Sequence, residues 1–168
     1  MDASEIKALQ APLKEKYRED PRSAVVTLRA QARLGEGITC NVETGKALVR
    51  AGLHPATGGD GLSACSGDMV LEALAACAGV TLRAVATATS IPLRNATVTA
   101  EGDIDFRGTL AVAKDVPVGL QRIRLKFYLD CDATKEQLET LIRLTERYCV
   151  VYQTLSKPQD ISVTNESR

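Results

Sequence analysis

Two of the five cysteines in this chain stand where a thiol is either inert packing or a nucleophile. Cys77 lies in the middle of GDMVLEALAACAGVTLRAVATA, an alanine-rich run from Gly67 to Ala88, and Cys149 follows LIRLTERY. Free cysteine is among the most buried residue types and often only fills space. Burial in apolar surroundings raises a thiol's pKa and silences it. A nucleophilic Cys77 would need charge brought from elsewhere, because it sits well past the first turn of its helix, beyond the reach of the dipole. Both readings stand at this level. Cys40, Cys65 and Cys131 fall in a strand, a loop and a strand end, where packing or surface placement is the expectation. No CxxC pair occurs, and His54, the single histidine, lies in a glycine-rich loop where it is expected to be solvated. No local zinc motif is encoded, and no metal is expected.

The elements that must position these thiols can be read from periodicity. Residues 4–19 form a helical pattern through Ile6, Leu9, Leu13 and Tyr17, with Pro12 interrupting it or starting a second helix. This N-terminal extension, residues 1–22, precedes a domain over 23–168. From Ser23 the period changes to two: Val26, Leu28, Ala30, Ala32 and Leu34 face one way, and Thr27, Arg29, Gln31 and Arg33 the other. Gly35 and Gly37 suit the turn to a hairpin partner, ITCNVE, and KALVRAG reads as a third strand. The long helix follows, with Ser66 as its cap and Asp68 in its first turn. Along it Val70, Ala73, Leu74, Cys77, Thr81 and Ala84 share a face, which puts Cys77 on the core side. Two alternating strands, NATVTAEGDIDF and QRIRLKFYLD, come next. Thr134 and Gln137 form a capping-box pattern opening a helix whose stripe runs through Leu138, Leu141, Ile142 and Thr145 to Tyr148 or Cys149. A short helix through Tyr152 to Leu155 and a last strand, DISV, complete the order. Helices on one face of a largely antiparallel sheet make an α+β fold.

Composition narrows the partners. The chain has 168 residues, enough for one domain with a sizeable core. Lys plus Arg and Asp plus Glu both count 21, so no basic excess exists to condense on phosphates, and nucleic acid is not expected as a partner. A near-neutral chain also resists self-association weakly, which favours an oligomer. The first twenty residues alternate both charge signs, unlike a secretory signal. Asp68, Glu72 and Arg83 interrupt the apolar helix, so no membrane span is expected. The cytoplasm is the expected compartment, and its cysteines stay mostly reduced.

SGDMVLEALAACAGVTL and LIRLTERYCVVYQTL resemble the two cysteine motifs of the OsmC/Ohr family, the osmotically inducible and organic-hydroperoxide-resistance proteins. VPVGLQRIRLKFYLDCDATKEQLETLIRLTERYCVV is similar to that family's strand-then-helix lead into its second cysteine, and the resemblance runs from about Ser23 to Val163. It implies curled antiparallel sheets around two long central helices, in an intertwined homodimer with active sites at the interface. It implies a peroxidase of organic hydroperoxides, with Cys77 attacking the peroxide and Cys149 resolving the product, reduced by an external dithiol of the lipoyl type and needing no bound cofactor. A glutamate common at the start of the family's long helix is matched best by Asp68, which is otherwise a helix-start acid; Glu72, a turn later, matches less well. The thiolate-stabilising arginine of Ohr-type members is matched by Arg33, otherwise an exposed strand residue, with Arg29 as a weaker alternative. Val150 follows Cys149 where the family commonly has proline. A non-peroxidase dimer that binds a small apolar ligand in the same pocket is the alternative function.

Overall fold

The computed structural model describes residues 3–34, 40–42, 51–62 and 64–166, with the backbone alone for 3–7, 9, 28–32 and 40–42. Helix α1 (Ala3–Glu19) leads through a 3-10 turn into β1 (Val25–Leu34), followed by β2 (Cys40–Val42), α2 (Ser66–Ala88) and β3 (Leu93–Asp105). A single helical turn, α3 (Phe106–Thr109), precedes β4 (Gln121–Cys131), α4 (Lys135–Tyr148) and α5 (Val150–Leu155). Among the described residues the strands form one antiparallel sheet in the order β2-β1-β3-β4. The expected α+β class is observed, and α2 packs across the sheet with α4 and α5 against it.

The two sheet faces differ in chemistry, as alternation requires. On β3, Ala96, Val98, Ala100 and Ile104 are buried toward the helices, with Val26 and Leu34 of β1 packed on the same core. Gly102 lies on that face, where an added Cβ would come within 2.8 Å of Leu120 and 3.4 Å of Leu71. The other face carries ion pairs. Asp103 accepts from Thr27 at 2.8 Å and from two Arg124 nitrogens at 3.0 and 2.9 Å, which hold its carboxyl down at about 2.

Several expectations need correction. Pro12 neither ends nor splits α1, which runs continuously through it; one missing N–H is absorbed by an otherwise intact helix. The N-cap of α2 is Cys65 rather than Ser66, and its side chain makes no capping hydrogen bond. DISV forms no strand: Ile161 and Val163 are 80% and 90% exposed, since alternation alone supplies no strand to pair with. The Gly35–Gly37 turn and nearly all of KALVRAG lie outside the described residues. The capping box of α4 has both halves, Gln137 N donating to Thr134 Oγ1 at 3.3 Å and Thr134 N to Gln137 Oε1 at 2.8 Å.

The largest correction concerns the rotation of α2. Its buried stripe is Leu71, Leu74, Ala75, Ala78, Leu82 and Val85, whereas Val70 and Ala73 are exposed; Cys77 is half-buried and packs against the core, as expected. Alanine, valine and leucine populate every face of this helix, so polarity does not select an orientation. Volume does, because the three leucines fill the space above the sheet. By length and composition α2 would suit a membrane span, yet 44% of its most apolar window is buried in the fold. Arg83 fixes the far end, its guanidinium donating to the carbonyls of Leu93 at 2.6 Å and Arg94 at 3.1 Å.

Leu71→Ala should cost about 3 kcal/mol in urea unfolding, as a deleted leucine in a fully packed site does. Thr134→Ala, which removes one cap, should cost about 1 kcal/mol.

Candidate active site

Cys149 is the hinge between two helices. Its N–H donates to Thr145 O at 2.9 Å and closes α4, while its carbonyl accepts from Gln153 N at 2.9 Å and opens α5. Its Sγ accepts from Tyr152 N at 3.4 Å, so the thiol itself caps α5. The α4 stripe delivers it inward: Leu141, Thr145 and Cys149 are all 0% exposed, whereas Tyr148 faces out. The helix against which this stripe packs is α2, and there Cys149 comes near Cys77.

The electrostatics of Cys149 register that proximity. Burial pushes its thiol up to about 11, the N–H groups of Tyr152 and Val151 pull it down, and the neighbouring Cys77 thiol and its charge push it up again. Influences that raise a thiol's pKa stabilise its protonated form, so Cys149 keeps its proton at neutral pH. Cys77 is the more accessible sulfur, half-buried where Cys149 is enclosed. The pair thus combines one reachable thiol with one enclosed thiol near enough to sense its charge.

The other candidate residues lie elsewhere. Asp68 is nine residues before Cys77 on α2, about 13 Å along the axis. Its carboxyl is raised by burial, with the charge of His54 opposing, and Glu72 is raised by burial and by Asp68. Arg33 is exposed and pairs in register with Thr97, one residue off core-packed Leu34, so it projects from the sheet face turned away from α2. Arg29 pairs with Glu101 in backbone register, and its side chain is outside the described residues, as is that of Cys40. Cys65 and Cys131 are half-buried free thiols. Among the described residues no three of His, Cys, Asp or Glu gather as metal ligands.

Two residues went unremarked or were misread. His54 is not free in solvent: its ring stacks on Phe106 at 4.9 Å and its Nδ1 accepts from Ala56 N at 3.0 Å. Helix α1 braces that same turn, Tyr17 Oη donating to Ala56 O at 2.7 Å and Gln10 Nε2 to Thr57 O at 3.1 Å. Tyr152 is the second. It lines an apolar pocket of about 260 Å³ with Leu74, Ile123, Leu125, Leu155 and Ser156. The signal was its spacing, three residues past a cysteine, which is the N-cap interval.

A family model described as OsmC-like protein matches residues 58–164. The chain belongs to the OsmC-like family. Its fold is also similar to the crystal structure of an OsmC-like hydroperoxide resistance protein from Jannaschia sp.. That similarity has a TM-score of 0.58 at 18% identity and covers 82% of this chain and 91% of that one. Comparison with curated proteins finds no match. The matched span of this OsmC-like chain includes both Cys77 and Cys149.

The raised thiol makes alkaline stability sensitive to Cys149. A thiol at its ordinary value of 9.0 when unfolded and about 11 when folded adds stability below pH 9 that is lost as pH rises toward 11. Urea midpoints at pH 8 and pH 10.5 should therefore fall less for Cys149→Ala than for the unaltered protein, although the variant starts lower.

Proposed function

We propose that this OsmC-like protein is a homodimeric, cysteine-based peroxidase that reduces organic hydroperoxides to alcohols. The observation that carries the reading is the interaction of the Cys77 and Cys149 thiols across α2 and the α4–α5 junction. The name of the similar Jannaschia protein, a hydroperoxide resistance protein, points the same way.

In this mechanism a Cys77 thiolate attacks the terminal oxygen of ROOH. The O–O bond breaks, the alkoxide takes up a proton and leaves as alcohol, and Cys77 becomes a sulfenic acid. Cys149 then attacks that sulfur; the S–S bond forms, and the hydroxyl leaves as water with the proton of Cys149. The push that Cys77 exerts on Cys149 ends once Cys77 is oxidised, while the Tyr152 and Val151 N–H groups remain. That change favours Cys149 ionisation at the step that requires it. An external dithiol, of the lipoyl type, returns the pair to thiols by exchange.

The uncovered flank of α2 supports a dimer. Met69 and Val70 are 38% and 36% exposed, and Ala73 is exposed beside them. A second copy covering this flank would shield Cys77 and bring its own charged residues near it. A reducing cytoplasm suits the four free described cysteines. The apolar pocket at Tyr152 favours one other reading, a dimer that binds a small apolar ligand without chemistry.

One equivalent of cumene hydroperoxide should be consumed per chain without reductant. Cys77→Ser should lower the rate at least about a hundredfold, whereas Cys149→Ser should complete one turnover and leave a trappable sulfenic acid. Equal rates for Cys77→Ser and the unaltered protein, with binding of an apolar fluorophore retained, would select the ligand-binding reading. Sedimentation should give twice the 18.0 kDa chain mass.

A further inference from the structure

The sulfur of Cys149 has two claims on it. Tyr152 N donates to it at 3.4 Å, and nearby Cys77 acts on it through its charge. Helix α5 depends on the first of these. It has six residues, none fully buried: Val151 and Tyr152 pack partly on the core, while Val150 is 70% and Leu155 40% exposed. A helix of that length does not persist in water unaided. Besides the Cys149 cap, its side-chain tie to α4 is Gln153 Nε2 donating to Glu146 O at 2.8 Å.

The apolar pocket is built across the same seam. One wall is Leu74, three residues before Cys77 on α2, with Ile123 and Leu125 of β4 beside it. The facing wall is Tyr152, Leu155 and Ser156, carried by α5 and its C-cap. Tyr152 alone takes part in both structures: its main chain holds the sulfur and its side chain lines the pocket.

We propose that Tyr152 is a positioning residue that couples the pocket to the redox state of the cysteine pair, the apolar pocket being assembled on the dithiol and loosened in the disulfide. The proposal rests on the disulfide step of the peroxidase reading. Formation of the S–S bond draws Cys149 Sγ toward α2, because a covalent disulfide is shorter than any contact between two thiols and has a fixed torsional preference. The sulfur then leaves the Tyr152 N–H. An uncapped first turn frays, and the fraying turn carries Tyr152. The pocket therefore holds the alkyl or aryl part of a hydroperoxide while the thiols are reduced. It releases the alcohol after the disulfide closes, when an incoming dithiol needs access to the sulfurs. The overall change is a two-electron oxidation: two thiols and ROOH give one disulfide, ROH and water.

The test compares the full chain reduced, oxidised with cumene hydroperoxide, and oxidised with diamide. It measures amide exchange at Tyr152 and Gln153 and the affinity for N-phenyl-1-naphthylamine. Both disulfide forms should exchange these amides roughly fivefold faster than the dithiol and bind the probe several-fold more weakly. Cys149→Ser keeps a capping oxygen but forms no disulfide, so it should hold its reduced values after either oxidant. Cys149→Ala should show fast amides and weak probe binding before any oxidant is added. Leu155→Ala should weaken the probe alone, which confirms where the probe sits if the cysteine variants fold poorly. Should hydroperoxide fail to oxidise the pair while the diamide-made disulfide still loosens α5, the coupling stands and the peroxidase reading falls. A disulfide with unchanged exchange and probe affinity overturns the coupling, as does failure of both oxidants to form it.

Discussion

The fold and its chemistry depend on one packing contact, the seating of the α4–α5 junction against α2. Leu141, Thr145 and Cys149 leave no surface exposed on one side, and the leucines of α2 bind the sheet on the other. This arrangement encloses one thiol, leaves the other half-open, and brings them together although they are 72 positions apart (149 − 77) in the chain. Shifting α4 by one residue would turn Cys149 off the stripe and put Tyr148 in its place. The geometry of a helical face thus sets which sulfur can meet Cys77.

The site divides its labour along that seam. Cys149 performs three tasks with one residue: its N–H ends α4, its carbonyl begins α5, and its sulfur caps the new helix. A residue tied this way has little freedom to wander, so on the peroxidase reading its approach to Cys77 is preorganised. Desolvation keeps it protonated meanwhile. At the other end of α2, α1 braces the turn that holds His54 near Asp68, which keeps a second charged group in place far from the sulfurs.

What could be read from the sequence follows from where the residue types force a choice. The α4 stripe was legible because leucine, isoleucine and threonine alternate there with Lys, Glu and Arg, and the Thr134–Gln137 box marks its start. Helix α2 was legible as a helix, but its rotation was not. Apolar residues surround it, and only the volumes of Leu71, Leu74 and Leu82 against the sheet decide which face is inside. The alternation at DISV predicted a strand that has no partner here, since period two reports compatibility with a sheet and not the presence of a neighbour. His54 was misread because a glycine-rich loop hides its one aromatic contact, Phe106, 52 positions on (106 − 54). The placement of Arg33 away from α2 was already implied by its parity with Thr27, which lies on the ion-paired face.

The account is tested most directly by mapping peptides from the full chain under non-reducing conditions after one equivalent of organic hydroperoxide. It predicts a single cross-linked product joining the peptides of Cys77 and Cys149, with Cys65 and Cys131 recovered as thiols. Recovery of Cys149 as a free thiol, with Cys77 carried on to sulfinic acid, would contradict it.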